Sequence, residues 1–198
     1  MALTSTEPHV PVGMQTRTIL NETEARELLE RLAREIDGAS SPDDRLLLVG
    51  IRRRGVELAD RIAELIGARS GQEVDTGSLD ITLYRDDFGQ VGPFPVIHSS
   101  EIPGEVTDRR VVIVDDVLFT GRTVRAALEE LSDFGRAKKV ELCVLVDRGD
   151  RELPIQADYV GVVVDVPVGH EVSARVPEED GEFGVDLVPL DAGGGKAS

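Results

Sequence analysis

The chain has 198 residues, enough for one domain with a sizeable core, and carries 38 acidic against 22 basic side chains for a net charge of −16. That much acid disfavours sequence-independent binding to nucleic acid or to an anionic membrane, although it leaves room for a local basic face. One cysteine, Cys143, excludes an intrachain disulfide and a cysteine metal cluster. No apolar run reaches the ~18 residues of a membrane span, the N-terminus lacks the basic-then-apolar order of a signal peptide, and a reducing, cytoplasmic setting is expected.

Residues 1–17 have no periodicity and read as a loose leader. Asn21 stands three residues before Glu24, a capping-box spacing. Ala25, Leu28, Leu29, Leu32, Ala33 and Ile36 then repeat at helical spacing. Asp37 to Asp44 is a turn-forming loop. Arg45 to Ile51 predicts a buried strand, and a helix is expected from about Val56 to Ile66. Between them lie Arg52, Arg53 and Arg54, flanked by Gly50 and Gly55. Leu79 to Tyr84 reads as a third strand, followed by Arg85. Phe88 to Pro103 is rich in glycine and proline, and such a segment is either disordered or a functional lid.

Val111, Val112, Ile113 and Val114 predict a buried parallel strand. Asp115 and Asp116 follow, then Val117, Leu118, Phe119, Thr120, Gly121, Arg122 and Thr123. The next helix is expected over Val124 to Phe134, with Gly135 past its end. Val140 to Val146 is a further buried strand holding Cys143. Asp158, Tyr159, Val160 and Gly161 lead into Val162 to Val164. Residues 18–176 read as one domain and 177–198 as an acidic tail whose end is disordered. Strands alternating with helices predict an α/β fold with a mainly parallel, twisted sheet flanked by helices.

The chemistry concentrates in Val111 to Thr123. Backbone N–H groups in a glycine-bearing loop at a helix N-terminus converge on an anion. Thr120 and Thr123 add hydroxyl donors. The paired acids cannot bind a phosphate, but they suit the hydroxyls of a ribose or a metal attached to it. One loop for a phosphate and a diol together describes a sugar phosphate. Three arginines at a strand's carboxyl end suit a polyanion, since open α/β sheets bind ligands there; a solvated basic turn is the bland alternative.

Val111 to Thr123 resembles the 5-phosphoribosyl-1-pyrophosphate (PRPP) motif of type I phosphoribosyltransferases. The resemblance implies a type I fold with a small hood, and assigns all thirteen residues to PRPP. It puts Asp115 and Asp116 on the ribose hydroxyls and Thr120 to Thr123 on the 5′-phosphate. Arg52, Arg53 and Arg54 match the pyrophosphate loop, whose non-proline cis peptide is expected at Ile51-Arg52. Asp115, Asp116 and Arg85 are the expected catalytic residues. Mg²⁺ is expected to arrive on the substrate, with no dedicated metal cage. Phe88 to Pro103 matches a closing loop.

Leu79 to Asp87, together with LVDRGDRELPI and ADYVG, narrows the likeness to the bifunctional pyrimidine-operon attenuators with uracil phosphoribosyltransferase activity, from about Thr18 to Val164. Phe119 stands where purine-salvage relatives carry an acid, which argues against a purine substrate. The implied partners are PRPP, uracil, UMP, messenger RNA and a second copy of the chain. Tyr159 and Val160 are the expected base contacts, with a core aromatic as the alternative for Tyr159. Arg31, Arg34 and Arg151 are the retained RNA candidates. Asp150, Gln156 and Val162 replace His, Arg and Lys of the attenuators, so specific RNA binding is expected to be weak. The other readings are an RNA-binding regulator with little catalytic activity and a purine phosphoribosyltransferase.

Overall fold

The computed structural model describes residues 16–41, 44–83 and 99–190. Asn21 caps helix α1 (Glu22–Gly38) as expected: its side chain accepts from the Glu24 N–H, and Glu24 accepts from the Asn21 N–H at 2.9 Å. The strands of the main sheet are β2 (Leu46–Ile51), β3 (Asp75–Leu79), β4 (Arg110–Leu118), β5 (Lys139–Asp147) and β6 (Tyr159–Val163). They lie in the order β3-β2-β4-β5-β6, and every neighbouring pair is parallel. A smaller antiparallel sheet joins β1 (Arg17–Leu20), β8 (Gly184–Pro189) and β7 (His170–Arg175), with the short helix α4 (Pro177–Asp180) between β7 and β8. This is the hood. It uses Arg17 at one end of the chain and residues read from charge as a tail at the other.

Alternation along β2, β4 and β5 splits the core into two faces. Leu48, Val112, Val114, Cys143 and Leu145 pack with α1, with α2 (Arg54–Ser70) and with Ala174, Val176 and Val185 of the hood. Leu47, Val49, Val111, Ile113 and Val144 pack with Val124, Ala127 and Leu131 of α3 (Arg122–Asp133). Near-continuous apolar runs are what a strand covered on both faces needs.

Two expectations are corrected. Of the run read as a strand from Leu79 to Tyr84, the described residues 80–83 are not strand. The Asp80 carboxylate accepts from the Thr82 N–H at 3.0 Å and from the Thr82 hydroxyl, turning the chain into a 3-10 turn at Ile81–Leu83. The true strand, DTGSL, is polar because it lies at the sheet edge. Second, β4 does not stop at Val114. It outruns β2, whose pairing ends at Gly50–Val114, and continues beside β5 to Leu118–Asp147. The crevice opened there separates a strand leading one way across the sheet from a strand leading the other, the topological switch point where such sheets bind ligands.

Gly55 fixes how closely α2 approaches that crevice. A Cβ there would collide with the Val114 carbonyl oxygen, on backbone that cannot yield. Gly55→Ala is expected to cost about 1–3 kcal/mol and, if the resemblance to a pyrophosphate loop holds, to lower affinity for PRPP by shifting Arg54. Chemical denaturation and PRPP titration would check both effects.

Candidate active site

The crevice holds a cavity of about 510 Å³. Its floor is the end of β4 and the following loop, Asp115 to Gly121 with Thr123. Arg52 and Arg54 flank it from the β2–α2 turn, Asp80 and Thr82 from the 3-10 turn, Arg148 from beyond β5, and Glu171 to Ala174 of the hood strand β7 cover it. Val111 to Val114 do not line it; they are the buried strand that carries the acids. Arg122 turns away and pairs with Glu152 at 2.7 Å.

The loop after β4 is built by backbone. Gly121 adopts φ 91 at the start of α3, a conformation that favours glycine. The Thr120 carbonyl accepts from the N–H groups of Glu152 and Leu153 at 3.0 and 3.1 Å. The Thr120 hydroxyl accepts from the Arg122 N–H at 3.3 Å. Those contacts leave the helix N-terminus open toward the cavity.

Asp115 is buried, and burial pushes its carboxyl well above the usual range, with the neighbouring Asp116 adding to the rise. Burial also raises Asp116, against the pull of Arg54, whose Nη1 lies 4.0 Å from Asp116 Oδ2. Each acid accepts one backbone N–H, from Asp116 at 3.0 Å and from Val117 at 2.8 Å. Two enclosed carboxylates in this state favour a cation or hydroxyl donors from a ligand.

The arginine loop contains a non-proline cis peptide, at Arg52-Arg53 and so one residue beyond the expected Ile51-Arg52. Arg52 Nη2 donates to Ser78 Oγ at 3.1 Å, and its Nε is buried without a partner. Arg54 makes a two-point contact with Asp180 of α4, at 3.0 and 2.9 Å. Arg53 does not line the cavity; it lies 3.8 Å from Glu179.

Tyr159 and Val160 are not brought to the cavity. Tyr159 pairs in register with Cys143, well before the end of β5. Its hydroxyl accepts from Arg110 at 2.8 Å and donates to Glu141 at 3.0 Å, and burial pushes its pKa up to about 12. It is the core aromatic. The Val160 carbonyl accepts from Arg31. Arg85 and residues 88–98 of the expected closing loop lie outside the described residues.

Two of the three RNA candidates are hydrogen-bonded within the chain. Arg31 donates to the Gly161 carbonyl at 2.5 Å and pairs with Glu35 at 2.7 Å; Arg34 lies 3.8 Å from Glu30. Arg151 donates to the carbonyls of Phe119 at 2.8 Å and Ile155 at 3.1 Å and pairs with Asp147, bracing the loop after β4 from behind. Residues 171–174, Asp80, Thr82 and Arg148 were not singled out as site residues by sequence. Only Asp80, Thr82 and Arg148 lay inside stretches whose likeness could have marked them.

The phosphoribosyl transferase domain family matches residues 15–177. The chain belongs to the phosphoribosyltransferase family. Its relatives include two proteins named bifunctional protein PyrR. That of Pelotomaculum thermopropionicum is 52% identical over 164 residues, 83% of this chain and 91% of the relative. That of Deinococcus radiodurans is 47% identical over 173 residues, 87% of this chain and 93% of the relative. The chain falls in this PyrR branch. A hypoxanthine phosphoribosyltransferase from Staphylococcus aureus shares the fold, with a TM-score of 0.66 at 18% identity over 92% of this chain and 97% of that one.

Proposed function

We propose that the cavity transfers the phosphoribosyl group of PRPP to N1 of uracil, giving UMP and pyrophosphate. The C1′–O bond breaks with its electrons going to pyrophosphate, the N1–C1′ bond forms, and N1 loses its proton. The observation that carries this reading is the buried pair Asp115 and Asp116, set at the crevice between an anion-binding helix N-terminus and an arginine loop. On this reading the two acids hold the ribose diol and oppose the positive charge that develops at C1′. Thr120, Gly121 and Thr123 hold the 5′-phosphate, and Arg52 and Arg54 the pyrophosphate. The hood strand β7 excludes water from a centre that water would intercept.

Mg²⁺ fits this donor set. The acids at the cavity, Asp80, Asp115, Asp116 and Glu171, offer oxygen alone, and no group of three potential metal ligands is present among the described residues. When bound with PRPP the ion would neutralise the pyrophosphate as it leaves. Phe119, at the place of a purine-directed acid, favours a pyrimidine. The test is pyrophosphate release from PRPP with uracil, hypoxanthine or orotate as acceptor; uracil is expected to be preferred, and preference for hypoxanthine would refute the reading.

Arg54 gives a sharper check. Charge-assisted hydrogen bonds contribute about 1.5–3 kcal/mol each, so Arg54→Ala should raise the KM for PRPP roughly tenfold or more while changing that for uracil little. Initial rates with each substrate varied would separate the two.

A role in RNA-dependent regulation stands apart from this chemistry. With Arg31 and Arg151 bonded within the chain, and with Asp150 acidic and Gln156 and Val162 uncharged, specific RNA affinity is expected to be low and its salt dependence shallow. Titration with the pyrimidine-operon leader RNA at low salt, with and without UMP, checks this; tight binding with a steep salt slope would overturn it. Among the described residues no helix is long and apolar enough to cross a membrane.

A further inference from the structure

We propose that Arg148 is the residue that selects the base: its guanidinium donates to a ring carbonyl oxygen of uracil and stabilises the negative charge that develops as N1 loses its proton. The inference rests on the uracil reading above and names the group that enforces it.

Arg148 differs from the other two arginines at the cavity. Arg54 is held by Asp180 and Arg52 by Ser78. The Arg148 side chain makes no hydrogen bond or ion pair with a described residue, and its Nε is buried without a partner. The nearest acid in sequence, Asp147, is already spent on Arg151 and on the Gly149 N–H at 2.9 Å. Arg148 is nonetheless well placed. Its backbone N–H donates to the Leu118 carbonyl at 3.1 Å, which ties it to the end of β4. Its guanidinium carbon lies 3.9 Å from the centre of the Phe119 ring. That stacking orients the cation without neutralising it.

The surroundings say what the group would meet. Phe119 immediately precedes Thr120 of the phosphate loop, so Arg148 stands where a base joined to the bound ribose phosphate would project. Val117, Leu118, Phe119 and Val172 supply apolar wall around it. In such a pocket a few polar groups set orientation and choice. A guanidinium only donates, so it accepts a carbonyl edge and opposes an amino group. Uracil presents two carbonyl oxygens. Cytosine replaces one with an amine, and would leave the cation facing donors.

The same contact affects the bond-forming step. As N1 bonds to C1′ and gives up its proton to the departing pyrophosphate, directly or through water, negative charge spreads to the ring oxygens. The contact of a half-buried cation with one of them strengthens as that charge grows.

The test uses the full-length protein and its Arg148→Met and Arg148→Lys variants. Three readouts are taken: kcat/KM for uracil, kcat/KM for 5-fluorouracil, and PRPP affinity by calorimetry. Losing one charged hydrogen bond should lower uracil kcat/KM roughly tenfold to a hundredfold in Arg148→Met, with PRPP affinity unchanged. The loss should be several-fold smaller for 5-fluorouracil, whose N1 proton leaves more readily. Arg148→Lys should recover part of the activity. Equal losses for the two bases, an unchanged uracil kcat/KM, or a parallel fall in PRPP affinity would overturn the proposal while leaving the uracil reading intact. If the unaltered protein turns over another base but not uracil, the functional reading fails and this assignment fails with it. Should Arg148→Met not fold, Arg148→Gln carries the same readouts.

Discussion

Replacing Asp115 and Asp116 together by Asn is expected to lower turnover by at least a hundredfold to a thousandfold, the scale of losing preorganised charge at a transition state, and at the same time to raise the melting temperature of the ligand-free protein. The two effects share one cause. Burial holds both carboxyls above their ordinary value of 3.8. An acid raised in the folded state contributes stability that is fully present below 3.8 and lost as the pH rises through the raised value. Near neutral pH the empty site therefore carries an unfavourable charge, and Asn removes it for a gain of about 1 kcal/mol. The gain should shrink as the pH falls toward the ordinary carboxyl value. Thermal unfolding across pH, beside steady-state rates, tests both halves. Near-normal turnover in the double variant would remove the acids from the mechanism.

Glu141→Gln should produce the largest loss of stability with the least loss of chemistry. Arg110 and Glu141 pair at 2.5 Å with side chains each 3% exposed, at the end of the sheet away from the cavity. Arg110 also donates to the Ile36 carbonyl, the Ser40 hydroxyl and Tyr159. Burial pushes Glu141 up, but Lys139 and Arg110 together outweigh it and hold it below its ordinary range. Its contribution is thus present above the ordinary value of 4.5 and lost as the pH falls through the lowered one. Removing one partner leaves a buried charge uncompensated, at about 3–5 kcal/mol. For a chain of this size that is roughly a 10 °C drop in Tm. Activity per folded molecule should remain close to normal, because none of these residues lines the cavity.

The sequence was most legible where chemistry restricts residue type within a short stretch. Paired acids, a glycine and threonines after an apolar run could be read directly, and the helix cap at Asn21 was equally local. Long-range placement was not. The hood strand HEVSAR has no apolar alternation, because only Ala174 is buried, so nothing in it announces a cover over the site. Tyr159 stands on β6, with β5 between it and the crevice strand β4, and its ring could be placed only once the β5–β6 register was known. The acids of 177–180 look like a solvated tail in sequence, yet Glu178, Glu179 and Asp180 face Arg61, Arg53 and Arg54.

The end of β4 is a cantilever. Up to Val114 the strand is clamped between two neighbours; beyond it, only β5 holds the strand along one flank. A beam fixed at its root and steadied on one side has a tip that is stiff along its length and more compliant sideways. Asp115 and Asp116 sit just past the root, where such a beam is displaced least, and the loop beyond the tip is steadied instead by the Glu152 and Leu153 N–H groups on the Thr120 carbonyl and by Arg151 on the Phe119 carbonyl. A single strand thus sets the position of the two acids, while the segment after β5 sets that of the loop beyond them.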